Sequence, residues 1–300
     1  MSQTESPSAG RPYGLHRVCH VWKMPRSTIY AQRDRATNPR PPRRRGPVGP
    51  CDDEALLGHI RAVLDESEWV GEGHRKVWAQ LRFAGIRTSR RRVLRLMREH
   101  DLLAPTRAGR ARGPRVHDGT IIPKMPDQMW GTDATSTLTG EGQATIFIVI
   151  DHCTGECLGI HAARRGTRFE ALEPLRQAVR SSFGVFGQDV AAEAGLRLRH
   201  DHGSQFVSHA YQDELRFLGI ESSPSFVRMP EGNGCAERFI RTLKEQLLWL
   251  RRFETVEALL AALHDFRDRF NHAWIMQRHG YRTPAQQREH LLAHAAEAAA

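Results

Sequence analysis

Residues 231–244 read EGNGCAERFIRTLK, and the fold turns on how that stretch is understood. Gly232 and Gly234 allow a sharp loop, because glycine reaches backbone angles that other residues avoid. The spacing that follows predicts a helix from near Gly234 into Arg252, with Glu237 in its first turn. Arg241 and Lys244 come at i+4 and i+7 and share a face with Glu237. Ile240, Leu243 and Leu247 recur on a neighbouring face suited to a core. Taken alone, an acid beside two bases on a helix describes an ordinary solvated face with i,i+4 pairing.

The upstream sequence changes that reading. Leu196 to His200 alternates as a short strand and runs into Asp201, followed by His-Gly-Ser-Gln-Phe206. Met129-Trp-Gly-Thr-Asp133 is a second strand-like run ending in an acid, and 35 residues separate Asp201 from Glu237. Two aspartates on strands and a glutamate on a helix at this spacing resemble the DDE transposase and retroviral-integrase superfamily. Three gathered carboxylates repel one another unless cations sit between them, and hard oxygen ligands select Mg²⁺ or Mn²⁺. Two such ions, roughly 3.5–4 Å apart, can clamp the attacking and leaving oxygens of an in-line phosphoryl transfer.

Composition narrows the function classes. At 300 residues, 40% hydrophobic and 26% charged, the chain can form two domains with a sizeable core. No apolar run approaches the ~18–20 residues of a membrane span. Met1 to Gly10 is polar, unlike a signal peptide, so no membrane partner and a cytoplasmic location are expected. Cys19, Cys51, Cys153, Cys157 and Cys235 are scattered and odd in number, which suits a reducing compartment. The net charge of +10 is lopsided. Residues 1–120 carry 24 Lys and Arg against 12 Asp and Glu, and residues 121–300 carry 20 against 22. That asymmetry points to a nucleic-acid-binding front end, although a charge run is also what a solvated face looks like.

In order, residues 1–37 form an N-terminal segment, expected to be disordered to residue 12 and then helical, with a break at Met24-Pro25 and Ser27 as the expected cap. It is compatible with a helix-turn-helix remnant or a simple helical hairpin. Residues 38–50 are a Pro/Arg linker. Residues 51–105 read as a three-helix, helix-turn-helix-like DNA-binding domain. Its third helix, capped at Thr88-Ser89, sets an apolar face against Arg90, Arg91, Arg92, Arg95 and Arg98, which suit phosphate contacts. Residues 106–125 are a basic linker. Residues 126–252 form the catalytic core: three strands, a helix, a strand, a helix, a strand and a helix, which periodicity alone calls mixed α/β. Residues 253–300 are a helical extension with an alanine-rich tail expected to fray after Leu292.

Over roughly residues 52–288 the chain resembles OrfB-type transposases of the insertion-sequence-three (IS-three) family. The resemblance is carried by Trp130-Gly-Thr-Asp133, Asp201-His-Gly-Ser-Gln-Phe206, Gly232-Asn-Gly-Cys-Ala-Glu237-Arg-Phe and Lys244. Gly73-His-Arg-Lys-Val-Trp-Ala-Gln-Leu, Phe270-Asn271 and Gly280-Tyr-Arg-Thr-Pro284 add to it. It implies an RNase-H-like core, a mixed five-stranded sheet with helices, behind a helical helix-turn-helix domain. It also implies metal-dependent cleavage of element DNA ends and strand transfer with two Mg²⁺ or Mn²⁺ ions. Asp133, Asp201 and Glu237 would then be the catalytic metal ligands, with Asn233, Arg241 and Lys244 near the DNA. The implied partners are element-end and target DNA, other copies of the chain, and an upstream OrfA-type protein or fusion. The implied setting is the bacterial cytoplasm, associated with DNA.

Two positions depart from the family pattern: His202 stands where an arginine is common, and Trp274-Ile-Met where Arg-Pro-His is common. Asp151 reads as a turn residue. His152, Cys153, Cys157 and His161 lack zinc-ligand spacing, and His200 and His202 read as orienting groups. Two other functions remain open on sequence: a non-catalytic DNA-binding regulator derived from a transposase, and a generic RNase-H-like nuclease.

Overall fold

The computed structural model describes residues 2–38, 51–105, 123–225 and 233–299. Most of the two linkers, and Glu231 and Gly232 before the glutamate helix, lie outside the described residues. The chain divides into two compact units, residues 1–49 and 50–300.

In the first unit, helix α1 (Gly14–Val21) and helix α2 (Arg26–Thr37) flank the Met24-Pro25 break. The N-cap of α2 is Pro25, not Ser27, and no side chain caps it. Proline fixes φ where the helix enters, so Arg26 becomes the first helical residue. Residues 2–12 are turns closed by a bridge between Glu5 and Pro12 rather than unstructured chain.

The second unit begins with three helices, α3 (Asp53–Asp65), α4 (His74–Phe83) and α5 (Arg90–Glu99). Asp52 caps α3 by accepting from the Ala55 amide at 2.8 Å, and Ser89 caps α5 through the Arg92 amide at 3.2 Å. Leu56, Ile60, Val77, Leu81, Val93 and Met97 bury fully between the three helices.

Next come β1 (Met129–Thr139), β2 (Gly142–Asp151), β3 (Cys157–Ala163), α6 (Arg168–Phe183), β4 (Arg197–His200), α7 (His209–Phe217), β5 (Glu221–Pro224) and α8 (Gly234–Leu243). The sheet order is β3-β2-β1-β4-β5. The first three strands meander antiparallel, and β4 and β5 run parallel to β1. This is the mixed five-stranded α/β sheet expected of an RNase-H-like core.

Each face of the sheet has its own core, because strand side chains alternate. Trp130, Phe147, Val149 and Leu198 pack under α6 and α7. Ile146, Ile148 and Ile150 pack under α8 and under α9 (Val256–Ala273). A Cβ on Gly159 would lie 1.9 Å from the Pro174 carbonyl oxygen, so β3 and α6 meet closely only through glycine.

α8 is shorter than the sequence suggests. It ends at Leu243 and passes into a π-helical turn, Lys244–Leu248, whose wider spacing buries both Leu247 and Leu248 in the same core. The boundary read at residue 252 also cuts across a continuous core. Leu259, Leu263, Phe266 and Phe270 of α9 belong to the cluster that holds α8. Asn271 clamps β3 by donating to the Cys157 carbonyl and accepting from its amide, both at 2.9 Å.

The last helix, α10 (Pro284–Ala299), runs on through the alanine-rich tail instead of fraying after Leu292, as alanine's high helix propensity allows. Thr283 and Gln286 cap its start reciprocally, with Pro284 as its first residue. The three-helix module is not separate from the core. Gln246 exchanges two hydrogen bonds with the Val70 backbone, and Trp69 meets Trp274 edge-on at 5.0 Å.

Candidate active site

The parallel pairing of β1 with β4 aligns Met129 with Arg197 and Gly131 with Arg199. Continued by two residues, that register sets Asp133 beside Asp201, where β4 has ended and β1 runs on. Ligands of open α/β sheets gather beyond strand ends at such forks. Asp133 lies across from Ile148, on the face covered by α8, and Glu237 sits in the first turn of α8.

The electrostatics agree with this placement. The Asp133 carboxyl is pushed up to about 6, first by burial and then by the nearby charges of Asp201 and Glu237, while Lys244 eases it. Burial also raises Glu237 above the usual carboxylate range. Asp133 therefore feels both other acids, yet as they stand no three His, Cys, Asp or Glu among the described residues form a ready coordination cluster. The donor chemistry, hard oxygens with surplus negative charge, fits a divalent cation.

Each carboxylate has a local support. Asp133 Oδ1 accepts from the Ala134 amide at 2.8 Å, and Asp201 Oδ1 accepts from the Gly203 amide at 2.9 Å. Phe206 anchors the Asp201 loop by packing into Phe147 and Tyr211. His200 donates through Nδ1 to the Asp201 carbonyl and through its other nitrogen meets Ser222 Oγ at 2.9 Å. His202, the departure from the family arginine, donates to the Ser225 carbonyl at 2.8 Å and closes the loop.

The stretch around Glu237 is tied to β1 by Asn233. Its Nδ2 donates to the Thr132 carbonyl at 2.8 Å, one residue before Asp133. Its Oδ1 and His152 Nε2 crowd over Gly131, where a Cβ would lie 2.7 and 2.5 Å from them. Arg241 pairs with Glu245 at 2.9 Å on the exposed side of the helix.

Asp151 stands apart as a turn residue. It accepts from Thr154 and from the Asp127 amide, and Arg288 grips Asp127 and Glu156. On α5 the arginines divide. Arg92 and Arg95 bind Asp53, and Arg95 also binds Glu99. Arg90 lies 5.2 Å over the Trp78 ring, while Arg91 and Arg98 are exposed without an ion pair among the described residues.

The integrase core domain family matches residues 123–230 and again 218–284, and the HTH-like domain family matches residues 51–110. The transposase for insertion sequence element IS629 of Shigella sonnei is 26% identical over 91% of this chain and 91% of its own length.

The chain belongs to the insertion-sequence transposases.

Transposase InsD of IS2 from Escherichia coli K12 is 27% identical over 78% of each chain. Among solved structures, the catalytic core of BIV integrase is 22% identical, over 53% of this chain and 92% of that one, with a TM-score of 0.40. An integrase core of this kind is a nucleotidyl-transfer domain. No helix among the described residues is long and apolar enough to cross a membrane.

One residue that the family motifs pass over is Arg199. It alternates with Leu198 along β4 and so faces the carboxylate side. The alternation of Leu196 to His200 carried that signal, since a strand arginine two before a site acid must share its face.

Proposed function

We propose that this transposase cuts the DNA ends of its element and joins them to target DNA, with Asp133, Asp201 and Glu237 as the metal-holding carboxylates. The reading is supported by the Asp133 carboxyl on β1, raised first by burial and then by the charges of Asp201 beyond β4 and Glu237 on α8. Two divalent ions, Mg²⁺ or Mn²⁺, would supply charge stabilisation at the attacking and leaving oxygens of the phosphodiester.

The chain's own residues prepare that chemistry. Asp133 would be held ionised by a bound cation, because its raised pKa reflects burial and anionic neighbours. Asn233 holds the first turn of α8 against β1 and so keeps Glu237 near Asp133. Arg241 and Lys244 lie one and two turns from Glu237 and would hold backbone phosphates. Residues 51–105 supply DNA affinity through Arg90, Arg91 and Arg98, and residues 126–252 cut. Arg92 and Arg95 serve the module's own folding first.

In this reading the chain works in the bacterial cytoplasm on DNA, as a homo-oligomer that holds two ends together, with an upstream OrfA-type protein or fusion as a further partner. The test is strand cleavage and joining, with Mg²⁺ or Mn²⁺, on DNA carrying the terminal repeats that flank the gene, beside Glu237→Gln. Metal-dependent 3′-end products lost in the variant are expected. Salt-sensitive binding with no cleavage, alone or with an OrfA-type protein, would make the chain a DNA-binding regulator instead.

A further inference from the structure

Arg199 is a buried cation with no ion pair among the described residues. It is 7% exposed, and its Nε has no hydrogen-bond partner. Among the described residues no carboxylate lies within ion-pair distance of it, whereas the comparably buried Arg288 is held by Asp127 and Glu156. A buried charge without a partner is expensive to keep, so an arginine in this position calls for an anion.

The position is informative. Arg199 lies between Gly131 of β1 and Ser223 of β5, and Gly131 offers no side chain to cover it. It is two residues before Asp201 on the face that carries Asp133. The titratable groups it acts on are the imidazoles of His152 and His200, not carboxylates. The guanidinium therefore shares the sheet face of Asp133 without an ion pair among the described residues. Its planar fork matches two oxygens of a phosphodiester, the anion that a DNA-cutting crevice must receive.

We propose that Arg199 is a phosphate-binding residue of the crevice, holding the non-bridging oxygens of the DNA backbone phosphate that lies against Asp133 and Asp201. This rests on the reading of the crevice as a DNA-cutting site, and the test separates the two. The full chain is titrated, without divalent metal, against duplexes from the flanking terminal repeats. Each duplex has one backbone phosphate near the cut replaced by a neutral methylphosphonate.

One replacement should weaken wild-type binding about tenfold, as expected for a lost charge-assisted hydrogen bond. The same replacement should cost Arg199→Met nothing further. Arg199→Lys should keep part of the sensitivity, since it keeps the charge but not the fork. Arg199→Met should melt at or above the wild-type temperature, because an unpaired buried charge has been removed. A lower melting temperature with unchanged DNA affinity would make Arg199 a structural residue and overturn the proposal. So would a wild type indifferent to every replacement, or equal losses in wild type and variant. A wild type that binds but never cleaves with Mg²⁺ or Mn²⁺ counts against the cutting reading, while the binding comparison still decides Arg199.

Discussion

Helix α5 and the carboxylate crevice handle charge in opposite ways. On α5, Arg92 reaches Asp53 at 2.7 Å and the Cys51 carbonyl at 2.9 Å, and Arg95 bridges Asp53 and Glu99. The two guanidinia hold the Asp53 carboxyl below the usual range, so that pairing favours the folded state. In the crevice, Asp133 is pushed the other way, and Arg199, on the same face of the sheet, is buried with its Nε unpartnered. Satisfied charge holds a fold together. Unsatisfied charge, kept close at a cost to stability, marks where a ligand of opposite sign is received.

The largest test of that contrast is to remove a crevice acid. Asp133→Asn should lower DNA cleavage by about 10³-fold or more, as loss of one member of a catalytic unit does. It should also stabilise the metal-free protein. Asp133 titrates near 6 when folded and near ~3.9 unfolded, so its favourable contribution is whole below about pH 4 and is lost as pH rises through 6. The variant should therefore gain up to about 3 kcal/mol over wild type above pH 6 and nothing near pH 4. Urea unfolding in EDTA from pH 4 to 8 measures this. Parallel curves for the two proteins would break the comparison.

A smaller effect is expected from Gly131→Ala, which leaves every charge in place. Its Cβ would press on His152 Nε2 and Asn233 Oδ1 and push the start of α8 off β1. Overpacking of this kind costs about 1–3 kcal/mol, and misplacing Glu237 by a fraction of an ångström should slow cleavage roughly 10–100-fold. DNA affinity should hardly change. A variant that loses binding and cleavage together would show that the crevice contributes to DNA affinity as a whole.

Much of this was legible before any coordinates. The alternation through Leu196 to His200 and the β-branched run 144–151 carry their strand identity openly, and the glycines before Glu237 announce the helix that bears it. What stayed hidden is what depends on distance along the chain. Asp53 binds an arginine 39 residues later, and Asn271 binds Cys157 across 114 residues. Neither partner leaves a periodic trace. The arginines of α5 looked alike in sequence, and only their partners separate those that hold the helix from those that face outward. Trp274, a departure from the family pattern with no assigned role, proves to be packing: it stacks on Phe270, meets Trp69 edge-on and lies under Lys76.

That tryptophan gives the next test. The three-helix module and the core meet through it, so Trp274→Ala should loosen the joint at a cost of about 3 kcal/mol. Hydrogen exchange should quicken around Trp69 to Lys76. Cleavage of end-containing DNA should fall severalfold while binding to the same DNA holds, because each part keeps its own DNA contacts and cutting needs both parts aligned. Unchanged exchange in that segment would mean that Gln246 and the Val70 backbone carry the joint by themselves.

The finest test compares two neighbours on α5. Arg91 is exposed and unpaired among the described residues, and Arg92 is half-buried and paired twice. Arg91→Ala should leave melting unchanged, weaken DNA binding a few-fold and flatten the salt dependence by about one phosphate contact. Arg92→Ala should do the reverse: it should cost about 1–2 kcal/mol of stability by leaving Asp53 with Arg95 alone, and leave the salt slope intact. Both are read from unfolding curves and from binding measured at several salt concentrations. If Arg92→Ala flattens the slope as much as Arg91→Ala, then an internal ion pair does not withhold an arginine from DNA. Asp53 would then be a placeholder that phosphate displaces, and the division between structural and receiving charge would hold for the crevice alone.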